Sequence, residues 1–209
     1  MGITTSTDNY YYDREFNRDL PLHQNHYIKW ERIKNLHRNA KYYVNDLCVC
    51  DLVQGDIGNC YFVSAIHSLI LYYTKTNRKM LYKFLKQIKP WQSFDSPYYT
   101  GKFSVMLWDQ FGYQEVVVDD YIPVSGRKPC YTSNRHGEFW VSILEKAVVK
   151  FTNSSYRKCD LGGGTADIIR LFIPCGVTSL ITEKRINDTR FETLLALENK
   201  MCTAALFKK

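Results

Sequence analysis

The chain has 209 residues, 45% apolar and 15% aromatic, enough to bury one good core or to pair a full domain with part of another, and this composition excludes a disordered chain. No apolar run approaches the ~20 residues that span a bilayer, and the polar opening at residues 1–14 lacks the apolar centre of a signal peptide, so the expected location is cytoplasmic. The net charge of +7 is scattered rather than gathered in a tract, which leaves nucleic acid and membrane surfaces outside the expected partners.

Residues 1–40 are polar and aromatic and read as an extended lead-in packed on a domain, with a turn at Asp19, Leu20 and Pro21 and an apolar anchor at Ile28 and Trp30. From Asn59 onward, Cys60, Phe62, Val63, Ala65, Ile66, Leu69, Ile70 and Tyr73 fall at helical spacing between Gly58 and Lys75, which predicts a largely buried helix. Met80, Leu81, Phe84, Leu85 and Ile88 repeat that spacing with Lys79, Lys83 and Lys86 between them, as in a helix with a solvated basic face. Residues 102–108 and 113–121 flank Asp109, Gln110, Phe111 and Gly112 and predict an antiparallel hairpin. Asp119 and Asp120 end its second strand facing opposite ways, so they cannot share one proton transfer and read as turn and cap residues.

Helical spacing returns over residues 138–151. The successive glycines Gly162, Gly163 and Gly164 cost backbone entropy in any regular element and mark a boundary or hinge. A short helix (166–172), a strand (177–182), a helix (191–201) and an apolar run (203–207) follow, and a chain that stops on an unfinished sheet is expected to be truncated. Gly162 to Thr165 lacks the Gly-Lys-Ser/Thr ending of a phosphate loop, so a nucleotide is not expected.

Seven cysteines, an odd number widely spread, argue against a disulfide framework. Cys60 stands apart from the other six. It opens the buried helix after the turn Gly55-Asp56-Ile57-Gly58, with Gln54 six residues upstream. The unpaired N–H groups at a helix start stabilise a thiolate, the form of cysteine that attacks carbonyl carbon. A glutamine amide can donate to the oxyanion formed in that attack, a contribution worth on the order of a hundredfold or more in rate.

The segment Gln54-Gly55-Asp56-Ile57-Gly58-Asn59-Cys60-Tyr61-Phe62 resembles the active-site signature of the calpain family of calcium-dependent, papain-like cysteine endopeptidases. The runs Glu115 to Pro123, Glu138-Phe139-Trp140 with Leu144-Glu145-Lys146-Ala147, and Leu161 to Thr165 are similar to family segments in the same order. The resemblance implies an α+β, papain-like cysteine protease core that is truncated here, with a central buried helix carrying the nucleophile and an antiparallel hairpin. It implies a lead-in at residues 1–40, a first protease half-domain at 41–161, and a hinge with the incomplete start of a second half-domain at 162–209. Cys60 is then the nucleophile and Gln54 the oxyanion donor. Asn59 and Tyr61 stand where the family usually has Asp and Trp.

A papain-type site also needs a histidine and an orienting Asn or Asp, ~130–150 residues downstream of the thiol. No histidine follows His136. His67 lies seven residues past Cys60 on one helix, ~10 Å along its axis and beyond hydrogen-bond reach. His23 and His26 with Cys48 and Cys50 match no standard zinc spacing. The resemblance puts the histidine and asparagine in the second half-domain, so this chain alone is expected to be inactive. It also implies regulatory calcium, with Asp51 and Glu138 as carboxylate ligands and carbonyls near Val44 and Asp46 completing the set, oxygen donors of the kind calcium takes. The implied partners are protein substrates and the second half-domain and accessory domains of a longer protein. The alternatives are a non-catalytic, calcium-responsive binding or regulatory module, and a structural interaction protein.

Overall fold

A computed structural model describes residues 10–20, 27–36, 40–41, 51–55, 58–76, 83–89 and 94–173. The strand, helix and apolar run expected after residue 176 lie outside the described residues, as do Cys48, Cys50, Cys175 and Cys202. The described elements are β1 (Ile28–Arg32), α1 (Ile33–Leu36), β2 (Leu52–Val53), α2 (Cys60–Thr76), β3 (Ile88–Lys89), β4 (Lys102–Asp109), β5 (Gly112–Asp119), β6 (Tyr121–Ser125), β7 (Lys128–Pro129), β8 (Ser133–Asn134), α3 (Trp140–Phe151), α4 (Tyr156–Cys159) and α5 (Thr165–Arg170). The architecture is mixed α+β, with three small antiparallel sheets in the strand orders β1-β6-β7, β2-β8 and β3-β4-β5.

Two helices make the core. On α2 the residues Phe62, Ala65, Ile66, Leu69, Ile70 and Tyr73 are buried, while Cys60, Leu71 and Lys75 face water, the one-sided pattern that a 3.6-residue period demands. Every residue of α3 from Trp140 to Val149 is buried. It packs on the β4–β5 hairpin, whose inward residues Phe103, Val105 and Leu107 alternate with the outward Lys102, Ser104 and Met106. A smaller cluster joins Phe16, Trp30, Tyr131 and Tyr156, with the Tyr131 and Tyr156 rings 4.3 Å apart. Among the described residues no helix is long and apolar enough to cross a membrane.

Three local expectations change. Residues 83–85 are helical, but Ile88 and Lys89 are strand, paired with Val105 and Ser104, because β4 offers an open edge and Met106 donates its N–H to the Gln87 carbonyl at 2.9 Å. Residues 77–82 of that stretch lie outside the described part. The lead-in is woven into a sheet, since β1 runs antiparallel to β6 with Trp30 opposite Pro123.

The run 113–121 breaks at Asp120, and its two carboxylates are more than turn and cap residues. Asp119 is fully buried and accepts from Lys146 Nζ, from Arg18 Nη2 at 2.5 Å, and from the backbone N–H groups of Asp13 at 2.7 Å and Tyr121 at 3.0 Å. Asp120, equally buried, pairs with Arg32 and accepts the Tyr99 hydroxyl at 2.7 Å. Arg18 also stacks 4.1 Å above the Tyr12 ring, so the segment 10–20 is tied to the core by charge and by aromatic contact.

Candidate active site

The spacing of the Gln54 to Cys60 segment follows from two close backbone approaches. A Cβ built on Gly55 would stand 2.0 Å from the Cys130 carbonyl oxygen, and one on Gly58 would stand 2.9 Å from the Asp160 carbonyl oxygen. Only glycine fits at either position without moving the backbone. Gly58 is further held by its N–H, which donates to Asp160 Oδ1 at 2.8 Å. Gly55→Ala is therefore expected to cost on the order of 1–3 kcal/mol or more, read as a lowered urea midpoint, and Gly58→Ala less.

Cys60 is exposed at the first position of α2, and Gln54 is exposed just after β2. Asp56 and Ile57 between them lie outside the described residues. Asn59, 1% exposed, starts the helix: its carbonyl accepts from the N–H groups of Phe62 at 3.0 Å and Val63 at 3.2 Å. Tyr61 turns inward against Gly163, where a Cβ would come 2.6 Å from the ring. Its hydroxyl bonds the half-buried Cys159 thiol, and burial with the nearby Cys159 and Glu145 pushes the phenol well up. Gly162 follows in the left-handed region at φ 97°, which suits the glycine run to a change of chain direction.

The two carboxylates expected at a calcium site sit at neighbouring places in the fold. Asp51 adjoins β2, whose Leu52 pairs with Asn134 of β8. Its Oδ1 meets His136 Nε2 at 3.1 Å, and its carbonyl accepts the Arg135 N–H at 3.0 Å. Glu138 is buried, and its Oε2 accepts from Asn134 Nδ2 at 2.9 Å and from Trp140 Nε1 at 3.3 Å. Lys41, ahead of this turn, exchanges backbone hydrogen bonds with Gly137 and Phe139 at 3.1 Å each. The donors are oxygens, as calcium prefers, but no group of three or more His, Cys, Asp or Glu side chains gathers among the described residues, and Val44 and Asp46 lie outside them. His67 is half-buried on α2, while His23, His26 and His37 lie outside.

Behind the thiol are residues to which the sequence alone assigned no role. Glu145 of α3 is fully buried and accepts from Asn59 Nδ2, from Thr132 Oγ1 at 2.6 Å and from the Thr132 N–H at 3.2 Å. The available signal was a Glu-Lys pair inside the otherwise apolar stretch Ile143 to Val149. Lys146 turns the other way, to Asp119 and the Tyr121 carbonyl, and burial pulls its ammonium down to about 8 against the pull of Asp119.

An exposed thiol opening a buried helix, in an α+β frame with a double-glycine turn before it, fits the cysteine peptidases as a class. The sequence profile of the calpain family cysteine proteases matches residues 11–207, and the chain belongs to that family. It is 37% identical over 174 residues to the calpain-1 catalytic subunit of Macaca fascicularis, covering 82% of this chain and 22% of the relative. Calpain-5 of Mus musculus is 30% identical over 186 residues, 83% of this chain and 28% of the relative, and calpain-12 of Homo sapiens 36% identical over 129 residues, 61% and 17%. The chain thus spans between 17% and 28% of the length of these curated relatives.

Proposed function

We propose that these residues form the nucleophile side of a calpain-type, papain-like cysteine endopeptidase that cleaves peptide bonds in intracellular proteins, with Cys60 attacking the carbonyl and Gln54 donating to the oxyanion. The observation that carries this reading is Cys60 itself, exposed on the first turn of α2, a helix whose Phe62, Ala65, Ile66, Leu69 and Ile70 are buried, within a family match over most of the chain. The base and its orienting residue are supplied from outside these 209 residues, in a second half-domain whose start follows the hinge at Gly162, with accessory domains beyond. Expressed alone, this chain is expected to give no turnover of a fluorogenic peptide with calcium; turnover that a Cys60→Ala control abolishes would place a base within it.

Asp51 and Glu138 are proposed to hold a regulatory calcium together with carbonyls of the preceding loop. Calorimetric titration should give calcium-binding heat that is lost in Asp51→Ala, and no heat in either protein would remove the site. The second reading is a non-catalytic, calcium-responsive binding or regulatory module. Activity restored by joining the chain to a histidine-bearing second half-domain would exclude it.

A further inference from the structure

Asn59 does not use its side chain to cap α2, as a residue before a helix ordinarily does. Its Nδ2 instead donates to Thr132 Oγ1 at 2.6 Å and to the Glu145 carboxyl, while Thr132 bonds that carboxyl through both its hydroxyl and its N–H. Asn59 and Thr132 are each 1% exposed and Glu145 is 4% exposed, so this is a buried polar chain from the middle of α3 to the residue before the thiol. The Asn59 Oδ1 atom is left buried without a partner. A well-packed helix start would not choose this arrangement for stability alone, because buried polar groups are costly unless all of them are satisfied.

We propose that Glu145 is a positioning residue for Cys60, acting through Asn59 to fix where the first turn of α2 begins. The proposal rests on the reading of Cys60 as the nucleophile. Glu145 and Asn59 both line a cavity of about 210 Å³ bounded by Cys159 and Gly162 to Gly164, with Lys158 and Asp167 at its exposed side, and this cavity offers a proton route to the carboxyl.

Burial pushes the Glu145 carboxyl up to about 7, against the hydrogen bonds from Thr132 and Asn59, which pull it down. The other titratable groups that bear on it are Tyr61 from α2, Tyr131 from the loop before β8, and Tyr156 and Cys159 from α4. All four are shifted upward, chiefly by burial, and stay neutral near pH 7. Glu145 alone among these groups changes charge there. Its stabilising contribution is fully present below the unfolded value of 4.5 and is lost as pH rises through about 7. Above that pH an anion sits behind the first turn of α2, accepting more strongly from Asn59 and Thr132 and opposing a thiolate at Cys60.

The test is the rate of Cys60 alkylation by iodoacetamide in the full chain between pH 5.5 and 8.5, followed by peptide mass spectrometry, which needs no turnover. The wild-type rate should rise with pH and bend near pH 7. Glu145→Gln should remove the bend and react roughly threefold or more faster at pH 8, with equal rates at pH 5.5. Asn59→Asp sets two buried carboxyls on one hydrogen bond, so they share a proton and the bend should move to higher pH; this variant serves if the glutamine protein does not fold. A purely structural role would change the rate by one factor at every pH, and a variant profile parallel to wild type would overturn the proposal. The nucleophile reading fails separately, through activity of the complete protease that survives Cys60→Ala.

Discussion

Asp119→Ala is expected to lower folding stability by about 3–5 kcal/mol, the cost of leaving a buried charge without its partner. The carboxylate receives Lys146, Arg18 and the backbone N–H groups of Asp13 and Tyr121, and the Lys146 side chain is wholly excluded from water. Once Asp119 is gone, Lys146 keeps the Tyr121 carbonyl, at 2.6 Å, and the faces of the Phe16 and Trp30 rings, but no paired counter-charge. Two backbone donors also lose their acceptor. Lys146→Met is the informative contrast: it removes the buried ammonium at similar volume and leaves Asp119 bound to Arg18, so its loss should be the smaller of the two. Urea unfolding of both variants decides the matter, and a loss below about 1 kcal/mol for Asp119→Ala would mean that the network is not what ties residues 10–20 and α3 to the hairpin.

The largest functional effect is expected at Cys60. In the complete protease, Cys60→Ala should reduce kcat/KM for a peptide substrate by about 10⁴-fold or more, since the nucleophile's removal leaves only binding and oxyanion stabilisation. Gln54→Ala should act on kcat by about 10²- to 10³-fold, the effect of losing one oxyanion donor. These two effects should not multiply in the double variant, because the oxyanion donor serves an intermediate that no longer forms. A Gln54→Ala protein with normal kcat would move the oxyanion role elsewhere on the turn.

What the sequence revealed follows from periodicity and from covalent limits. The burial of α2 and the existence of α3 were legible because their apolar residues recur at helical spacing. The hairpin was legible because Phe103, Val105 and Leu107 alternate with polar or outward residues around a turn. The glycines before Cys60 were legible as punctuation, although their reason, contact with the Cys130 and Asp160 carbonyls, is tertiary and has no local signature.

Ile88 misled because an apolar residue at the end of a short helical run also suits an edge strand, and the open side of β4 decided it. Asp119 and Asp120 misled for a different reason. A carboxylate after a strand is ordinarily a solvated turn residue, and only the arrival of Lys146, Arg18 and Arg32 from distant segments makes burial tolerable. Glu145 escaped notice as a site residue because it shares a helix with nine other buried residues and its partners come from two separate loops.

The role of Cys60 is tested most directly by treating the complete, active protease with a peptidyl halomethyl ketone and locating the adduct by mass spectrometry. One adduct per molecule on Cys60, formed in step with loss of activity and suppressed by substrate, is the predicted result. An adduct on Cys159 or another thiol that tracks inactivation, with Cys60 unmodified, would contradict it.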